Sequence, residues 1–325
     1  PLDPLRREQA DALIGENLSS ELRERITQAA GGNPLFISEM LAMAAEDAEV
    51  EVPPTLKALL AMRLDQLDEA ERKVLERGSV EGEIFHRGAV QALAPEETRV
   101  TTRLAALVRH QLVRPDRAQL AGDDGYRFRH LLIRDAAYEA LPKTVRVGLH
   151  VRFADWLDEH GVALVERDEI VGYHLGQAAR YQAELGRADP ALADRAALRL
   201  ATAGRRAYYR LDYRTAAALL VRAAELVRPH RLDLALELEA AYFQSDVDVS
   251  ASSAAATAAG ERADAEGDRS GAMLARTVVL HNDMFAGAIP DVDESSELCR
   301  EALPLEEARG DPRRLALLWL MLQSI

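Results

Sequence analysis

Leu112-Val113-Arg114, then Ala121-Gly122-Asp123-Asp124-Gly125, then Tyr126-Arg127-Phe128: this stretch holds the chain's one convincing β signal. Two short alternating runs flank a loop rich in turn residues, which predicts a β-hairpin. Three helices are expected before it. Asp68 and Glu71 form a D-x-x-E capping box that opens a helix running through Val80. After Phe85 a short helix covers Ala89 to Leu93, and Pro95 sits where a third helix starts, with Leu104, Leu107 and Val108 as its apolar face.

Three helices and then a hairpin is the winged-helix order. Two more helices are predicted behind it, His130 to Leu141 and Pro142 to His160. Residues 55–67 carry Leu56, Leu59, Leu60, Leu64 and Leu67 at helical spacing. Residues 4–50 read as two or three helices. One opens at Leu18-Ser19-Ser20 with Leu22, Ile26 and Ala29 on one face, and another covers Leu35 to Ala45. Gly31-Gly32-Asn33-Pro34 breaks between them, and the acidic stretch 46–54, ending in Pro53-Pro54, is expected to be a linker.

From about residue 165 onward every pattern is helical. Ala203-Gly204, Ala207, Tyr213, Ala216, Leu220 and Ala223 alternate small and large residues as stacked helix pairs of the tetratricopeptide type do. Ala265-Glu266-Gly267-Asp268 recurs as Ala308-Arg309-Gly310-Asp311, a period longer than the standard repeat of about 34 residues, so the array is tetratricopeptide-like. The Ser/Ala-rich stretch 246–260 reads as a degenerate helix or a loop. The expected fold is therefore mainly α. Helices cover 1–50, a winged-helix domain with a small hairpin covers 55–160, and a tetratricopeptide-like α-solenoid covers 165–325.

Composition narrows the function. Of 325 residues, 48% are hydrophobic and 29% charged, which is globular and not disordered. A net charge of −14 excludes a uniformly basic surface for nucleic acid. The single cysteine, Cys299, excludes an intrachain disulfide and a Cys-rich zinc site, and a reducing cytoplasm is the simplest home. No apolar run reaches the roughly 18–20 residues of a membrane span, so no membrane partner is expected. The eight histidines show no H-E-x-x-H cluster, no G-x-S-x-G occurs, and Cys299 has no nearby His. Neither a metal site nor a catalytic nucleophile is expected. Pro1 in place of Met, and the uncapped apolar pattern from Leu315 to Ile325, read as the ends of an internal piece.

Two motifs carry a family resemblance. Gly32-Asn33-Pro34-Leu35-Phe36-Ile37-Ser38-Glu39 resembles the GNPLF-x-x-E signature in the lid of STAND ATPases (signal-transduction ATPases with numerous domains), relatives of the AAA+ ATPases. Tyr126-Arg127-Phe128-Arg129-His130-Leu131-Leu132-Ile133-Arg134-Asp135-Ala136-Ala137-Tyr138 resembles the strand-to-helix junction of their winged-helix domain. The order of lid, winged helix and helical repeats is also theirs. The stretch from His130 to Asp135 is similar to the MHD-L-L-R-D segment of plant immune STAND receptors, with Leu131 where that motif has Asp. Among bacterial multidomain regulators of this kind, some place an adenylate/guanylate cyclase domain before the ATPase and others carry a LuxR-type DNA-binding domain.

The resemblance implies a nucleotide switch. Pro34 would pack on adenine, with Gly32 giving close approach and Asn33 in the same turn; His130 would contact the β-phosphate of ADP; Arg134 would reach phosphate or a lid carboxylate. No G-x-x-x-x-G-K-[ST] and no Walker B segment occur in the chain, so the resemblance puts the P-loop domain, and the Mg and ATP/ADP it holds, upstream in the same chain. This segment alone is then expected neither to hold nucleotide nor to catalyse. The repeats would take a protein or small-molecule inducer, and the output would be a cyclase or transcription.

The residues by themselves allow plainer readings. Gly32-Asn33-Pro34 is also a helix C-cap and turn, and His130 a core histidine at a strand–helix junction. Arg134 and Asp135 do not face each other on a helix and read as members of structural salt bridges. The winged helix raises a DNA-binding alternative, but its recognition-helix candidate, about 96–110, balances Arg99, Arg103, Arg109 and His110 against Glu96 and Glu97, with Asp123 and Asp124 in the wing. Arg205-Arg206 with Tyr208 and Tyr209 read as one repeat helix with a packed and a solvated face. A nucleotide-independent helical interaction scaffold is the competing class.

Overall fold

The computed structural model describes residues 4–15, 18–46, 52–285 and 292–324. Most of the expected acidic linker 46–54, the residues before Pro4, and Ile325 lie outside these. The chain divides into two compact units, Pro1–Trp156 and Leu157–Ile325.

The first unit opens with α1 (Arg7–Ile14), α2 (Ser20–Ala30) and α3 (Pro34–Glu46). Ser19 caps α2, its hydroxyl accepting from the Leu22 N–H at 3.2 Å. Ile26, Phe36, Ile37, Met40 and Met43 form the helical core, joined by Leu59 of α4 (Leu56–Asp65). The winged helix follows as α5 (Glu69–Glu81), β1 (Ile84–His86), α6 (Arg87–Leu93), α7 (Val100–Arg109), β2 (Val113–Asp116) and β3 (Gly125–Phe128), then α8 (Leu131–Glu139) and α9 (Lys143–His160). The expected hairpin is present, with Val113 opposite Phe128.

Two expectations are corrected. The sheet has three strands in the order β1-β3-β2, so Ile84-Phe85-His86, where the sequence predicts only a hairpin further on, is a strand paired along β3. Pro95 does not start a helix: Glu97 N–H bonds to the Ala94 carbonyl at 3.0 Å in a turn, and α7 begins at Val100. Phe85 packs on Phe128 with ring centroids 5.1 Å apart at the centre of the second core, beside Leu75, Leu104 and Ile133. Leu56 of α4 touches both cores.

The second unit is a helical solenoid of α10 (Arg167–Glu184), α11 (Pro190–Tyr209), α12 (Tyr213–Val227), α13 (Leu234–Gln244), α14 (Val249–Ala265), α15 (Arg269–Phe285), α16 (Val292–Arg309) and α17 (Pro312–Ser324). Each helix packs on the next, and α13, α15 and α17 also touch one another, so alternate helices form one layer. The stretch 246–260 is mostly the helix α14, capped by Asp248. Small residues interlock the pairs as the sequence predicts: a Cβ on Gly204 would lie 2.9 Å from the Leu220 side chain. The repeated Gly-Asp is a turn device. Gly267 and Gly310 sit at φ +75° and +72°, and the following Asp268 and Asp311 accept backbone N–H bonds from the next helix. Leu211-Asp212 makes the same turn with a leucine at φ 65°.

Candidate functional site

The turn between α2 and α3 is built by its own sequence. Gly31 takes a left-handed conformation at the end of α2, and Gly32 follows at φ +79°. The Asn33 side chain caps α3, accepting from the Leu35 and Phe36 N–H groups at 3.0 and 3.4 Å. Pro34 then occupies the first turn of α3, where no N–H is needed, and is exposed. Gly32 also admits this chain's own backbone: a Cβ there would lie 2.5 Å from the Leu5 carbonyl oxygen and 2.9 Å from Pro4.

Glu39, the last residue of the motif, points inward and ion-pairs with Arg63 of α4, both almost wholly buried at 6% and 4% exposure. Arg63 also donates to the His110 carbonyl at 2.5 Å. This one side chain ties α3, α4 and the end of α7 together. The sequence carried a signal for it, since Arg63 falls on the apolar face marked by Leu59, Leu60 and Leu64.

His130 is exposed, not in the core, and caps α8: its Nδ1 accepts from the Leu132 N–H at 3.2 Å. That bond requires an unprotonated Nδ1. Leu131 and Leu132 beside it are 51% and 39% exposed. Arg134 is spent within the fold. Its Nε donates to the Ser79 carbonyl at 3.0 Å, its guanidinium stacks on Tyr138 at 4.9 Å, and it bonds Asp135 at 3.0 Å. Adjacent on α8, Arg134 and Asp135 nevertheless meet, because the long arginine side chain folds back along the helix. Among the described residues, no hydrogen bond or ion pair joins the Gly32–Pro34 turn to His130 or Arg134. They belong to one unit, with α4 packed on both α3 and α8.

Several cations of the winged helix are paired internally. Arg103 pairs with Asp68 at 2.8 Å, Arg87 with Asp124 at 3.0 Å, and Arg127 with Asp116 and Glu83. Asp123 of the wing accepts the Gly88 N–H at 2.9 Å. His86 is buried beneath the wing. Its Nδ1 lies 2.6 Å from Glu81, and its Nε2 accepts from the Gln119 and Leu120 N–H groups at 3.0 and 3.3 Å.

In the solenoid, α11, α13 and α17 line an open cavity of about 370 Å³. Arg205, on the repeat helix read from sequence as having a packed and a solvated face, grips Glu239 through two bonds of 2.6 Å. Tyr208 stacks on Phe243 at 4.0 Å, whereas Tyr209 projects beside the cavity at 85% exposure. Cys299 is buried, and burial pushes its thiol pKa up, as an inert core cysteine. Among the described residues no group of three His, Cys, Asp or Glu could hold a metal, and no helix is long and apolar enough to cross a membrane.

No family model matches the chain, and no curated protein matches it. A solved structure of a STAND protein with a tetratricopeptide repeat sensor, from Pyrococcus horikoshii, is similar at 14% identity and a TM-score of 0.36, over 99% of this chain and 56% of that one. The chain thus spans about half the length of that protein. A likeness of this degree fixes neither family nor function.

Proposed function

We propose that the chain is the regulatory portion of a STAND-type nucleotide switch: lid, winged helix and sensor repeats acting behind an upstream P-loop domain that holds Mg and ATP/ADP. The observation that carries this reading is the exposure of Pro34 and His130, each at the start of a capped helix of the same unit, in the two motifs that resemble the family. A helix N-terminus presents backbone N–H groups and a partial positive charge, which suits His130 to an anion. Pro34 offers an apolar ring to a base. Arg134 is better placed as the brace of α8 against α5 than as a phosphate ligand. The repeats take the inducer, and the signal reaches a cyclase or transcriptional output in the cytoplasm. In the recognition-helix candidate Arg103 is paired with Asp68, and Glu96 and Glu97 share the segment with the exposed Arg99 and Arg109; this near balance of charge favours the intramolecular role of the winged helix over DNA binding.

The test is recovery of co-purified ADP from the chain extended through its P-loop domain. Wild type is expected to retain it, and Pro34→Ala and His130→Ala to retain at least tenfold less. His130→Asn keeps a capping side chain and is expected to lose ADP equally, which separates a phosphate contact from a helix cap. Equal retention in all variants would remove these residues from the site. No nucleotide in any of them would leave a nucleotide-independent interaction scaffold.

A further inference from the structure

The chain is poor in aromatics, 5% of its residues, yet Tyr208, Tyr209, Tyr213, Tyr242 and Phe243 gather at one place in the solenoid. Tyr208, Tyr213, Tyr242 and Phe243 build a packed base, with Tyr208 against Tyr213 and Phe243 and Tyr242 against Phe243. Tyr209 departs from it. At 85% exposure it stands beside the cavity between α11, α13 and α17, whose apolar lining comes from Phe243, Ala316, Leu317 and Leu320. A volume of about 370 Å³ lies within the range of small-molecule sites, roughly 300–1,000 Å³.

Two guanidiniums line the same cavity. Arg205 commits Nε and Nη2 to Glu239, leaving Nη1 without a hydrogen-bond partner among the described residues. Arg313 commits its two Nη atoms to Asp233 at 3.0 Å and Asp311 at 3.4 Å, leaving Nε likewise. Glu239 holds the Arg205 guanidinium firmly charged despite its burial and the nearby Arg313. Glu239 thus holds Arg205 by one edge, and Asp233 and Asp311 hold Arg313 by its two Nη atoms, fixing each fork while one N–H remains available. A ligand carboxylate fits this arrangement, because it can accept from the Arg205 Nη1 and Arg313 Nε N–H groups that Glu239, Asp233 and Asp311 leave open. An ammonium in its place has no acceptor to offer those N–H groups.

We propose that this cavity binds a small aromatic carboxylate, its ring held between Tyr209 and the Phe243–Leu317 floor and its acid group held by Arg205 and Arg313. Preformed forks and a rigid aromatic floor give affinity with little ordering cost. The site rests on the reading of the repeats as the sensor and gives that sensor a ligand class.

The experiment titrates the chain as it stands, without nucleotide, with three probes of one shape: indole-3-acetate, neutral indole-3-acetamide and cationic tryptamine. Calorimetry is expected to find one saturable indole-3-acetate site, at least tenfold tighter than indole-3-acetamide, with tryptamine weakest. Arg313→Gln should lose at least tenfold for the acid alone. Tyr209→Ala, at a surface position that folding does not need, should weaken the acid and the amide alike. Ala316→Trp, an exposed site on the cavity wall, should abolish binding with the thermal midpoint unchanged. Absence of saturable binding by any probe, equal binding of acid and amide, or binding undiminished in Ala316→Trp overturns the proposal. ADP retention by the extended chain is a separate readout, so failure here and failure of the nucleotide switch are told apart.

Discussion

Arg63→Ala isolates the residue that joins the lid-like helices to the winged helix. The substitution removes the partner of Glu39 inside a nearly dry site and takes away one donor to the His110 carbonyl. Leaving one member of a buried pair uncompensated costs about 3–5 kcal/mol. Taking about 4 kcal/mol, and roughly 2–4 °C per kcal/mol for a unit of this size, the midpoint should fall by about 8–16 °C. The chain's two tryptophans make this readable, because Trp156 lies in the first unit and Trp319 in the second. In a Trp319→Phe background the Trp156 transition should drop, and in a Trp156→Phe background the Trp319 transition should not. Glu39→Met with Arg63→Met replaces both charges by apolar volume and should return within about 1 kcal/mol of wild type, since such pairs are often neutral to replace. A loss below 1 kcal/mol in Arg63→Ala, or a double variant as damaged as the sum of the singles, would refute a buried pair that joins the two cores.

Leu211→Gly should stabilise the second unit by about 1 kcal/mol. Leu211 holds a left-handed φ of 65° that glycine takes freely at the equivalent turns, and its side chain is 72% exposed; a lower Trp319 midpoint would count against this. Gly204→Val should cost about 1–3 kcal/mol in the same assay, because even a Cβ reaches 2.9 Å from Leu220. Burial pushes the Asp268 carboxyl up, but Arg314 and the Gly271 N–H outweigh it and hold its pKa below the usual range; Asp233 is lowered in the same way by Arg313 and Arg231. A depressed folded pKa contributes stability that is complete above the unfolded value, about 3.9, and is lost as pH falls through the folded one. The Trp319 midpoint should therefore change little on account of these groups above about pH 5 and fall below about pH 4, less steeply in Asp268→Asn.

Periodicity and caps made most of this fold legible. Asp68, Ser19 and the hairpin flanking Gly122 each act through neighbours a few residues away, so the sequence states them directly. Ile84-Phe85-His86 is only three residues long, too short for alternation to register, and becomes a strand because β3 offers it an edge. Pro95 misleads for a related reason: a proline suits a first helical turn, but here it sits in the loop that Gln91 ties down by donating to the Ala94 and Glu97 carbonyls. At the site, Pro34 and His130 were visible because turn and cap chemistry is local. The Glu39–Arg63 pair and the Arg205–Glu239 fork span 24 and 34 residues, and only the packing of distant helices brings them together.

That packing changes how the proposed switch would move. If the winged helix parted from the lid-like helices on activation, the Glu39–Arg63 pair would break and Leu59 of α4 would leave the core it shares with Ile26 and Phe36. The ion pair alone sets a cost of about 3–5 kcal/mol. Turning a two-state equilibrium from 1:99 to 99:1 already requires about 5.5 kcal/mol of differential nucleotide affinity. Stacking both demands on one ligand calls for nearly twice that, whereas moving α1–α8 as one body against the nucleotide domain leaves the pair intact. Pro34 and His130, exposed on that single body, would then make or lose their contacts together. Locking α3 to α4 by an engineered disulfide should accordingly leave nucleotide exchange unchanged, and a block of exchange would show that the two parts separate.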